Sequence, residues 1–382
     1  MLPATNSARP SLADVLTSCL DAILGRGNTL GLPPADRAIV LLVDGLGASS
    51  LRARAGHARV MARAFQKSSV ATAGFPTTTA VNLATLTTGA QPGVHGLVGY
   101  TVLDGAHDRI VNQLNGWDDG LDPASWQRSR TVFERAADAG IPSVVVAQER
   151  YRDSGFTHAV LRGAGYVSGR TVPERFAAAR RVLDSVEKGI VYLYVSELDQ
   201  AAHARGWESG EWTDALEAVD AELGLLAASL GRSEGLIVTA DHGVLDVPAT
   251  SHVLFGDGAA LVDGIRFVAG EPRCLQLHFE PDVSEALRAA VVDRWKAAEG
   301  DRAWVVTREE AIADGWFGPV VDDAVAPRIG DILVAARKAI AYYDLRAESQ
   351  AGRHMIGQHG SFSPEESAVP LLRFGAFSTA GR

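Results

Sequence analysis

Short apolar runs that end in an acidic residue are the feature of this sequence that most constrains its fold. Three of them are rich in β-branched and large apolar residues and stand at 39–45 (IVLLVDG), 190–199 (IVYLYVSELD) and 236–243 (LIVTADHG). Each run is too short for a typical helix and is hydrophobic without alternation, which is typical of strands buried on both faces of a parallel sheet. The sequence therefore predicts several parallel strands, each with an aspartate at its carboxyl end.

Helical patterns separate these strands. They cover 49–66, 79–88, 172–187 and 212–230, and a further strand is predicted at 143–148. Strands that alternate with helices indicate an α/β fold, here a three-layer sandwich with a mostly parallel central sheet. Ligands of such folds bind at the carboxyl ends of the strands. The predicted site therefore gathers three strand-end carboxylates, those of Asp44, Asp199 and Asp241.

The stretch 247–325 has a different character from the rest of the chain. It reads as a strand pair, a helix, and then a strand followed by a short helix, which is the pattern of a small α+β module. We therefore expect a cap inserted into the main domain. The predicted domains are a core made of 1–246 and 326–382 and a cap insertion made of 247–325.

Charge and composition exclude some classes of partner. The formal net charge is −10, which argues against a nucleic-acid polymer or an anionic membrane as the main partner. A small anionic substrate stays compatible, because bound cations reverse the field locally. No apolar run approaches the ~20 residues needed to span a bilayer, and the N-terminus lacks the basic segment of a signal peptide. The two cysteines are far apart and suggest no disulfide framework, so a cytoplasmic protein is expected.

Thr79 stands where a loop passes into a helix, within FPTTTAVNLATLTTG at 75–89. A hydroxyl at a helix N-terminus lies among unpaired N–H groups and at the positive end of the helix dipole, which suits an anionic phosphoryl group. Asn82 lies about one turn further on, where its amide is expected to donate to a phosphoryl oxygen. Taken alone, the pattern also fits a threonine N-cap on a helix that packs against the sheet.

Residues of metal-ligating types accompany the other strand ends. Asp199 and His203 are four positions apart, so one helical turn would place both side chains on the same side. Asp241 and His242 are adjacent and can act together only if the chain turns there, which Gly243 would allow. A capping aspartate with a solvent-facing histidine explains the first pair equally well.

Two further histidines lie in glycine-containing loops. His359 stands in GQHGSFSPEES at 357–367, just before a predicted helix start. A histidine held in such a loop is more often a ligand or an acid/base group than a core residue, and an exposed loop histidine is the alternative. His95, in GAQPGVHGLVGY, is expected to orient the loop backbone.

The order of these motifs, Asp, Thr-x-x-Asn, Asp-xxx-His, Asp-His and His, resembles the alkaline phosphatase superfamily, and within it the nucleotide pyrophosphatase/phosphodiesterase family. The resemblance runs from about Ile39 to Leu372. It implies a phosphoric diester hydrolase with two divalent metal ions, zinc or manganese, and a phosphothreonine intermediate. It further implies one ion held by Asp44, Asp241 and His242 and another held by Asp199, His203 and His359. Thr79 would lie between them as the nucleophile and as a further metal ligand, with Asn82 at the phosphoryl oxygens.

The nucleophile segment departs from the pattern of many secreted members of that family. Those members carry Thr-Phe-Pro-Asn, whose aromatic ring lines the nucleotide pocket, whereas Ala80 and Val81 follow the threonine here. A wall that stacks on a base must then come from elsewhere, and the candidates are Phe75, Tyr100 and Trp117. The missing secretion signal also disfavours an extracellular scavenger of nucleotides.

Segments outside the motifs resemble cytoplasmic actinobacterial members of the family, a group that includes a cyclic di-AMP phosphodiesterase. They include SLADVL, LGLPPADR, REEAIADGWFGP and PRIGDILVAA. The expected partner is therefore a small nucleotide, first of all cyclic di-AMP, hydrolysed to AMP through the linear dinucleotide. Two alternatives stay open: a phosphonoacetate-type hydrolase, which would need lysines near the site, and a catalytically silent nucleotide-binding sensor. A metal-dependent phosphomutase would normally show serine at the nucleophile and a longer insertion.

Overall fold

The structure is a computed structural model that describes residues 9–118, 120–258 and 260–378. Its helices, in chain order, are α1 (Asp14–Ile23), α2 (Ala48–Ala53), α3 (Arg59–Ala64), α4 (Thr79–Thr88), α5 (Pro92–His95), α6 (Pro123–Trp126), α7 (Val132–Asp138), α8 (Gly155–Val160), α9 (Val172–Asp184), α10 (Glu197–Arg205), α11 (Gly210–Ala228), α12 (Glu285–Glu299), α13 (Arg308–Ala313) and α14 (Pro364–Ser367). Its strands are β1 (Arg37–Val43), β2 (Val70–Thr72), β3 (Thr101–Asp104), β4 (Arg109–Asn112), β5 (Ser143–Ala147), β6 (Gly165–Ser168), β7 (Gly189–Val195), β8 (Glu234–Thr239), β9 (Leu245–Asp246), β10 (His252–Phe255), β11 (Ile265–Glu271), β12 (Cys274–Phe279), β13 (Ala303–Thr307), β14 (Ile332–Ala336), β15 (Ala341–Asp344), β16 (Gly357–Gln358), β17 (Ala368–Pro370) and β18 (Leu372–Gly375).

Six strands form the central sheet, in the order β18-β8-β1-β7-β5-β6. Five of them run parallel, and β18 is antiparallel at one edge. The side chains of β1, β7 and β8 are almost all buried, which explains why these runs are hydrophobic without alternation. The predicted α/β fold with a mostly parallel central sheet is confirmed.

Helices cover this sheet in two groups. One group contains α1, α4, α7 and α8, with α1 packed on β1 and β7. The other contains α3, α9, α10 and α11, with α9 packed on β5, β6 and β7. Apolar side chains of the sheet and of both groups form one large buried core. Among the described residues, no helix has the length and apolar character needed to cross a membrane.

A second, antiparallel sheet lies beside the first and has the strand order β13-β14-β12-β11-β3-β4. Its strands β11, β12 and β13, with α12 and α13, come from the range 247–325, where an α+β pattern was expected. The sheet is not confined to that range, because β14 pairs between β12 and β13 and because β3 joins β11. The division into a core and a cap domain stays a prediction.

The helix expected over 49–66 is two short helices, α2 and α3, separated by a turn. The start of α3 is fixed from outside, since Asp220 of α11 accepts hydrogen bonds from the N–H groups of Val60 and Met61 at 3.0 and 2.9 Å. A carboxylate at this position satisfies N–H groups that a helix start leaves unpaired. Sequence periodicity carries no sign of a cap that comes from a distant helix.

A buried ion pair joins the second sheet to the loop that carries His359. The Nε and Nη2 atoms of Arg273 donate to the carboxylate of Glu366 at 2.7 and 2.8 Å, and both side chains are fully buried. The same carboxylate accepts a hydrogen bond from the Ser361 N–H at 2.9 Å. The position of the His359 loop therefore depends on a residue that immediately precedes β12.

We expect Glu366→Gln to destabilise the protein by about 3–5 kcal/mol, because it leaves the Arg273 guanidinium buried without its counter-charge. Urea unfolding followed by circular dichroism measures the change. Asp138→Asn is the matched control: it removes one partner of an exposed ion pair with Arg130 and should leave the unfolding midpoint essentially unchanged. Equal midpoints for Glu366→Gln and the wild type would contradict the structural role of the buried pair.

Candidate active site

The carboxyl edge of the central sheet gathers a first group of three residues: Asp44, which follows β1, and Asp241 and His242, which follow β8. The Nε2 atom of His242 lies 3.6 Å from Asp44 Oδ1 and 3.4 Å from Asp241 Oδ2. All three residues are buried. The chain bends at Asp241, so the two neighbouring side chains can reach the same place. Gly243 contributes through close packing, since a Cβ there would lie 2.0 Å from the backbone oxygen of Glu365.

A second group is formed by Asp199 and His203 of α10 together with His359. The Nε2 atom of His203 lies 3.2 Å from Asp199 Oδ2 and 3.4 Å from His359 Nε2. The helix begins immediately after β7, which places one turn of α10 at the end of the sheet. The spacing of four positions therefore brings both α10 side chains to one side, as expected.

Backbone carbonyls orient both histidines of the second group. The Nδ1 atom of His203 lies 2.8 Å from the oxygen of Gly357, and that of His359 lies 2.8 Å from the oxygen of Thr77. An Nδ1–H that donates to a carbonyl leaves Nε2 as the nitrogen with a free lone pair. Both Nε2 atoms are thus directed into the centre of the group.

The two groups are neighbours, and Thr79 lies against the first of them. The rings of His242 and His359 are stacked, with centroids 3.7 Å apart. The Thr79 Oγ1 atom is 3.1 Å from His242 Nε2, and the residue is the first of α4. Its hydroxyl therefore combines a helix N-terminus with close contact to the candidate ligands.

Electrostatic repulsion among the carboxylates is strong in this site. Burial raises the pKa of Asp44 well above its ordinary value, and the charges of Asp241 and Asp199 raise it further. The hydroxyl of Tyr194 donates a hydrogen bond to Asp44 and acts in the opposite direction. Burial also lowers the pKa of His359 well below its usual range, which keeps the imidazole neutral. Metal ions bind neutral imidazoles and ionised carboxylates, so His359 is already in its metal-binding form and a bound cation would favour the ionised form of Asp44.

The donor set fits two divalent cations. Within each group the candidate ligand atoms all lie within 4.8 Å of one another. Three buried carboxylate oxygens, Asp44 Oδ1, Asp199 Oδ1 and Asp241 Oδ2, have no hydrogen-bond partner among the described residues. Buried charges without partners are unfavourable unless a counter-charge is present, so these oxygens are suited to cations.

Asn82 makes its hydrogen bonds with the loop that precedes Thr79. Its amide nitrogen donates to the carbonyls of Gly74, Pro76 and Thr78 at 3.2–3.3 Å, and its oxygen accepts from the Gly74 N–H at 2.6 Å. The side chain is fully buried. These hydrogen bonds hold the loop before Thr79, and the role of Asn82 at a phosphoryl oxygen stays a prediction.

The expected base-stacking residues are distributed unevenly. Phe75 is buried, stacks on Phe362 with ring centroids 3.9 Å apart and belongs to a separate apolar core, so the structure does not bring it to the site. Tyr100 lines a different cavity of about 550 Å³, next to Glu271. His95 is buried, with Nε2 3.0 Å from the Thr85 hydroxyl, in keeping with an orienting role.

Trp117 is the one of these candidates that lines the cavity beside Thr79. This cavity has a volume of about 680 Å³ and also borders Asp44 and Asp199. We call it the aromatic cavity because its wall includes Trp117, Tyr151, Phe156, Tyr166, Tyr192 and Tyr194. A Cβ at Gly155 would lie 2.3 Å from the Trp117 Cβ, so glycine lets the backbone pack on this residue.

Sequence reasoning missed Tyr194 and Glu271. Tyr194 stands in the apolar run of β7, and its hydroxyl donates a hydrogen bond to Asp44. A tyrosine hydroxyl within a buried strand was the one sequence signal that pointed to such a contact. Glu271 ends β11 and lies beside His359, with its Oε2 atom 3.9 Å from His359 Nδ1. Burial raises the pKa of Glu271 to about 8, while the Thr78 hydroxyl acts to lower it. Nothing in the local sequence around Glu271 indicates this position.

Strand-end carboxylates, histidines and a buried hydroxyl in this arrangement are typical of metal-dependent hydrolases of phosphoric esters. Comparison with known proteins leads to the same class. Residues 38–362 match the type I phosphodiesterase/nucleotide pyrophosphatase family, and the chain belongs to that family.

Solved structures share the fold at low sequence identity. Phosphonoacetate hydrolase from Sinorhizobium meliloti 1021, in complex with phosphonoformate, superposes with a TM-score of 0.68 at 21% identity over 90% of this chain and 91% of that one. Murine ectonucleotide pyrophosphatase/phosphodiesterase 5, as an inactive variant in complex with AMP, gives a TM-score of 0.65 at 17% identity over 89% of this chain and 88% of that one. These likenesses concern the fold.

A curated relative matches part of the chain. Phosphopentomutase of Anaeromyxobacter dehalogenans (strain 2CP-C) is 32% identical over 125 residues, which are 32% of this chain and 30% of that protein. The chain thus matches less than a third of the length of the mutase.

We expect Asp44→Asn to raise the thermal stability of the metal-free protein at neutral pH, because it removes one of the repelling carboxylates. The pKa of Asp44 is higher in the folded state than in the unfolded state, so the folded state binds the proton more tightly. The stabilising contribution of the Asp44 proton should therefore be lost as the pH rises above about 4, so metal-free wild-type protein should lose stability relative to Asp44→Asn over that range.

Thermal unfolding with chelator and with Mn²⁺ measures both effects. Wild-type protein should gain about 2.7 kcal/mol per site at a metal concentration 100 times the Kd, and Asp44→Asn should gain less. An Asp44→Asn protein that is less stable than the wild type in chelator would show that the Asp44 carboxylate stabilises the metal-free fold instead of opposing it.

Proposed function

We propose that this chain is a nucleotide phosphodiesterase in which Thr79 attacks the phosphorus of a diester held between two divalent cations. The observation that carries the proposal is the position of the Thr79 hydroxyl. It lies at a helix N-terminus, against the first group of candidate ligands, and borders the aromatic cavity. A nucleophile, cation sites and a surface for a planar base thus adjoin one another.

Each group has a role in the proposed reaction. Asp44, Asp241 and His242 would hold one cation, and the second group, Asp199, His203 and His359, would hold the other. Bound zinc or manganese would supply charge neutralisation at the phosphoryl oxygens and favour the ionised form of the Thr79 hydroxyl.

The chain itself would carry the covalent step. The Thr79 oxygen would form a bond to phosphorus while the bond to the leaving oxygen breaks, and that oxygen would take up a proton. The intermediate is a phosphothreonine that retains the second ester of the substrate. Water would then hydrolyse it and restore the Thr79 hydroxyl. The N–H groups at the start of α4 are suited to an anionic phosphoryl group.

Cyclic di-AMP is the first substrate that we propose, with AMP as the product through the linear dinucleotide. The proposal rests on the resemblance to actinobacterial members of the family and on the aromatic cavity. A volume of about 680 Å³ lies within the range of roughly 300–1,000 Å³ that is usual for pockets binding drug-sized ligands. Aromatic side chains stack on any base, so the cavity lining favours a nucleotide but does not distinguish adenine from the other bases.

Phosphonoacetate hydrolysis is the second candidate, since the fold is shared with such an enzyme. A substrate carboxylate next to the phosphorus would require a cationic side chain in the cavity. Arg150 is the one lysine or arginine among the residues that line the cavity, and its guanidinium lies 4.8 Å from the centre of the Tyr151 ring. Six aromatic side chains line the same cavity, so its composition favours a nucleotide over phosphonoacetate. A silent nucleotide sensor is distinguished from both by turnover.

We expect Thr79→Ala to lower kcat on a phosphodiester substrate by on the order of 10³-fold or more, because it removes the nucleophilic oxygen. Both metal ions should stay bound, since the six proposed ligands are unchanged. Steady-state kinetics and metal content by mass spectrometry give the two readings. A Thr79→Ala protein with wild-type kcat would refute the nucleophile assignment.

Trp117→Ala should raise KM for nucleotide diesters by about tenfold or more, because stacking on a base contributes about 1–3 kcal/mol. The KM of Trp117→Ala for a small chromogenic diester, which carries no base, should change little. The substrate panel comprises cyclic di-AMP, cyclic di-GMP, a linear dinucleotide, dinucleotide polyphosphates and phosphonoacetate, each assayed with Mn²⁺ and with Zn²⁺. Trp207→Ala is the matched control, since Trp207 is also partly buried but does not line the aromatic cavity.

Two outcomes would contradict the proposal. Consumption of phosphonoacetate alone would eliminate the nucleotide as substrate. An equal rise in KM for the small diester and for the nucleotides would show that Trp117 does not contact a base. Preferential turnover of another nucleotide would support the phosphodiesterase assignment but show that cyclic di-AMP is not the preferred substrate.

A further inference from the structure

Glu271 is a buried carboxylate that the proposed reaction does not use. It ends β11, in the second sheet, and its side chain is 4% exposed. Neither of its oxygens has a hydrogen-bond partner of good geometry among the described residues. A buried carboxyl group without partners is costly, so its presence calls for a physical reason.

The neighbours of Glu271 belong to the second group. Its Oε2 atom lies 3.9 Å from the Nδ1 atom of His359, whose Nε2 atom faces His203 at 3.4 Å. Glu271 is therefore a close neighbour of the His359 Nδ1 atom. At 3.9 Å its oxygen lies beyond hydrogen-bond distance of that nitrogen but close enough to act on the charge of the ring.

The backbone is shaped to admit Glu271 at this place. Gly360 has φ +133°, a conformation that favours glycine, and a Cβ there would lie 2.5 Å from the Glu271 Cγ. Any side chain at 360 would collide with the glutamate. The loop that carries His359 is thus packed directly on the Glu271 side chain.

Charge differs between the two groups. The first group contains two carboxylates and the second contains one. A divalent cation in the second group would keep one uncompensated positive charge from its ligands alone. The carboxyl group of Glu271, when ionised, would supply the missing negative charge.

We propose that Glu271 is a positioning residue for the second cation site, which acts through the His359 loop packed on its side chain and compensates the charge of the bound ion. The inference rests on the proposed two-cation function. Carboxylates that lie behind a metal-ligating histidine strengthen metal binding in many proteins, and their loss typically weakens it by 10–100-fold. Glu271 thereby couples the second sheet to the chemistry at the edge of the first.

Calorimetric titration of chelator-treated protein with Mn²⁺ tests the proposal without any substrate. The wild type should bind two ions. Glu271→Gln, which keeps the shape of the side chain, should bind one ion with unchanged affinity and the other about 10–100-fold more weakly. Glu271→Asp keeps the charge but moves it away from His359, so it should bind the second ion with intermediate affinity. This variant also tests the proposal if Glu271→Gln does not fold.

Glu299→Gln is the matched control. Glu299 is another buried glutamate near the second sheet, but it is fully partnered by Arg302 and by the Tyr342 hydroxyl, at 2.7 and 2.8 Å. Its replacement should lower thermal stability in the presence and absence of Mn²⁺ alike and leave both metal affinities unchanged. A structural role for Glu271 would produce this same pattern.

The outcomes separate the two proposals. Two ions bound by Glu271→Gln with wild-type affinities would overturn the role of Glu271 and leave the proposed function intact. A wild type that binds no Mn²⁺ and no Zn²⁺ would overturn both. Selective weakening of one ion in Glu271→Gln, absent in Glu299→Gln, is the result that supports the inference.

Discussion

The convergence of three aspartates at one edge of the central sheet shapes the rest of this structure. Asp44, Asp199 and Asp241 are delivered to one place because parallel strands end at the same edge of the sheet. Each keeps an oxygen without a hydrogen-bond partner among the described residues. Because these unpartnered oxygens are buried, a counter-charge would stabilise the arrangement. Histidines with Nε2 directed inward suit a metal ion in that role.

The second constraint is the loop that brings His359 to this edge from the far end of the chain. Its imidazole is oriented by the Thr77 carbonyl, two residues before the proposed nucleophile. The Arg273–Glu366 pair ties the same loop to the second sheet. Nucleophile loop, histidine loop and second sheet are therefore mechanically connected. A change in any of them is expected to shift the position of His359 in the second group.

The sequence predicts the parts of this molecule that depend on local patterns. Uninterrupted apolar runs indicated β1, β7 and β8 and hence the parallel sheet, and helical spacing brought Asp199 and His203 together. Contacts between distant segments could not be predicted in this way. Asn82 was expected at the substrate because it follows Thr79 by one turn, and its hydrogen bonds to three loop carbonyls were not predicted. Glu271 reaches His359 across 88 positions of sequence, and no local pattern shows it.

The proposed catalytic residues and the proposed substrate cavity depend on different parts of the fold. The strand ends position the proposed catalytic residues, whereas the aromatic cavity combines side chains of β6 and β7 with side chains from loops and helices outside the sheet. Trp117 and Tyr151 enter its wall from separate segments. Tyr194 serves both parts, since it lines the cavity and donates to Asp44. Such a cavity can change its ligand without disturbing the carboxylate edge.

The proposed covalent bond between Thr79 and phosphorus can be trapped in an acid-quenched reaction. Protein mixed with a nucleotide diester and Mn²⁺ is stopped within one turnover, digested and examined by mass spectrometry. We expect a phosphoryl adduct on the peptide that contains Thr79, still carrying the nucleoside ester. Turnover at the same rate with this peptide unmodified, or an adduct on another residue, would contradict it.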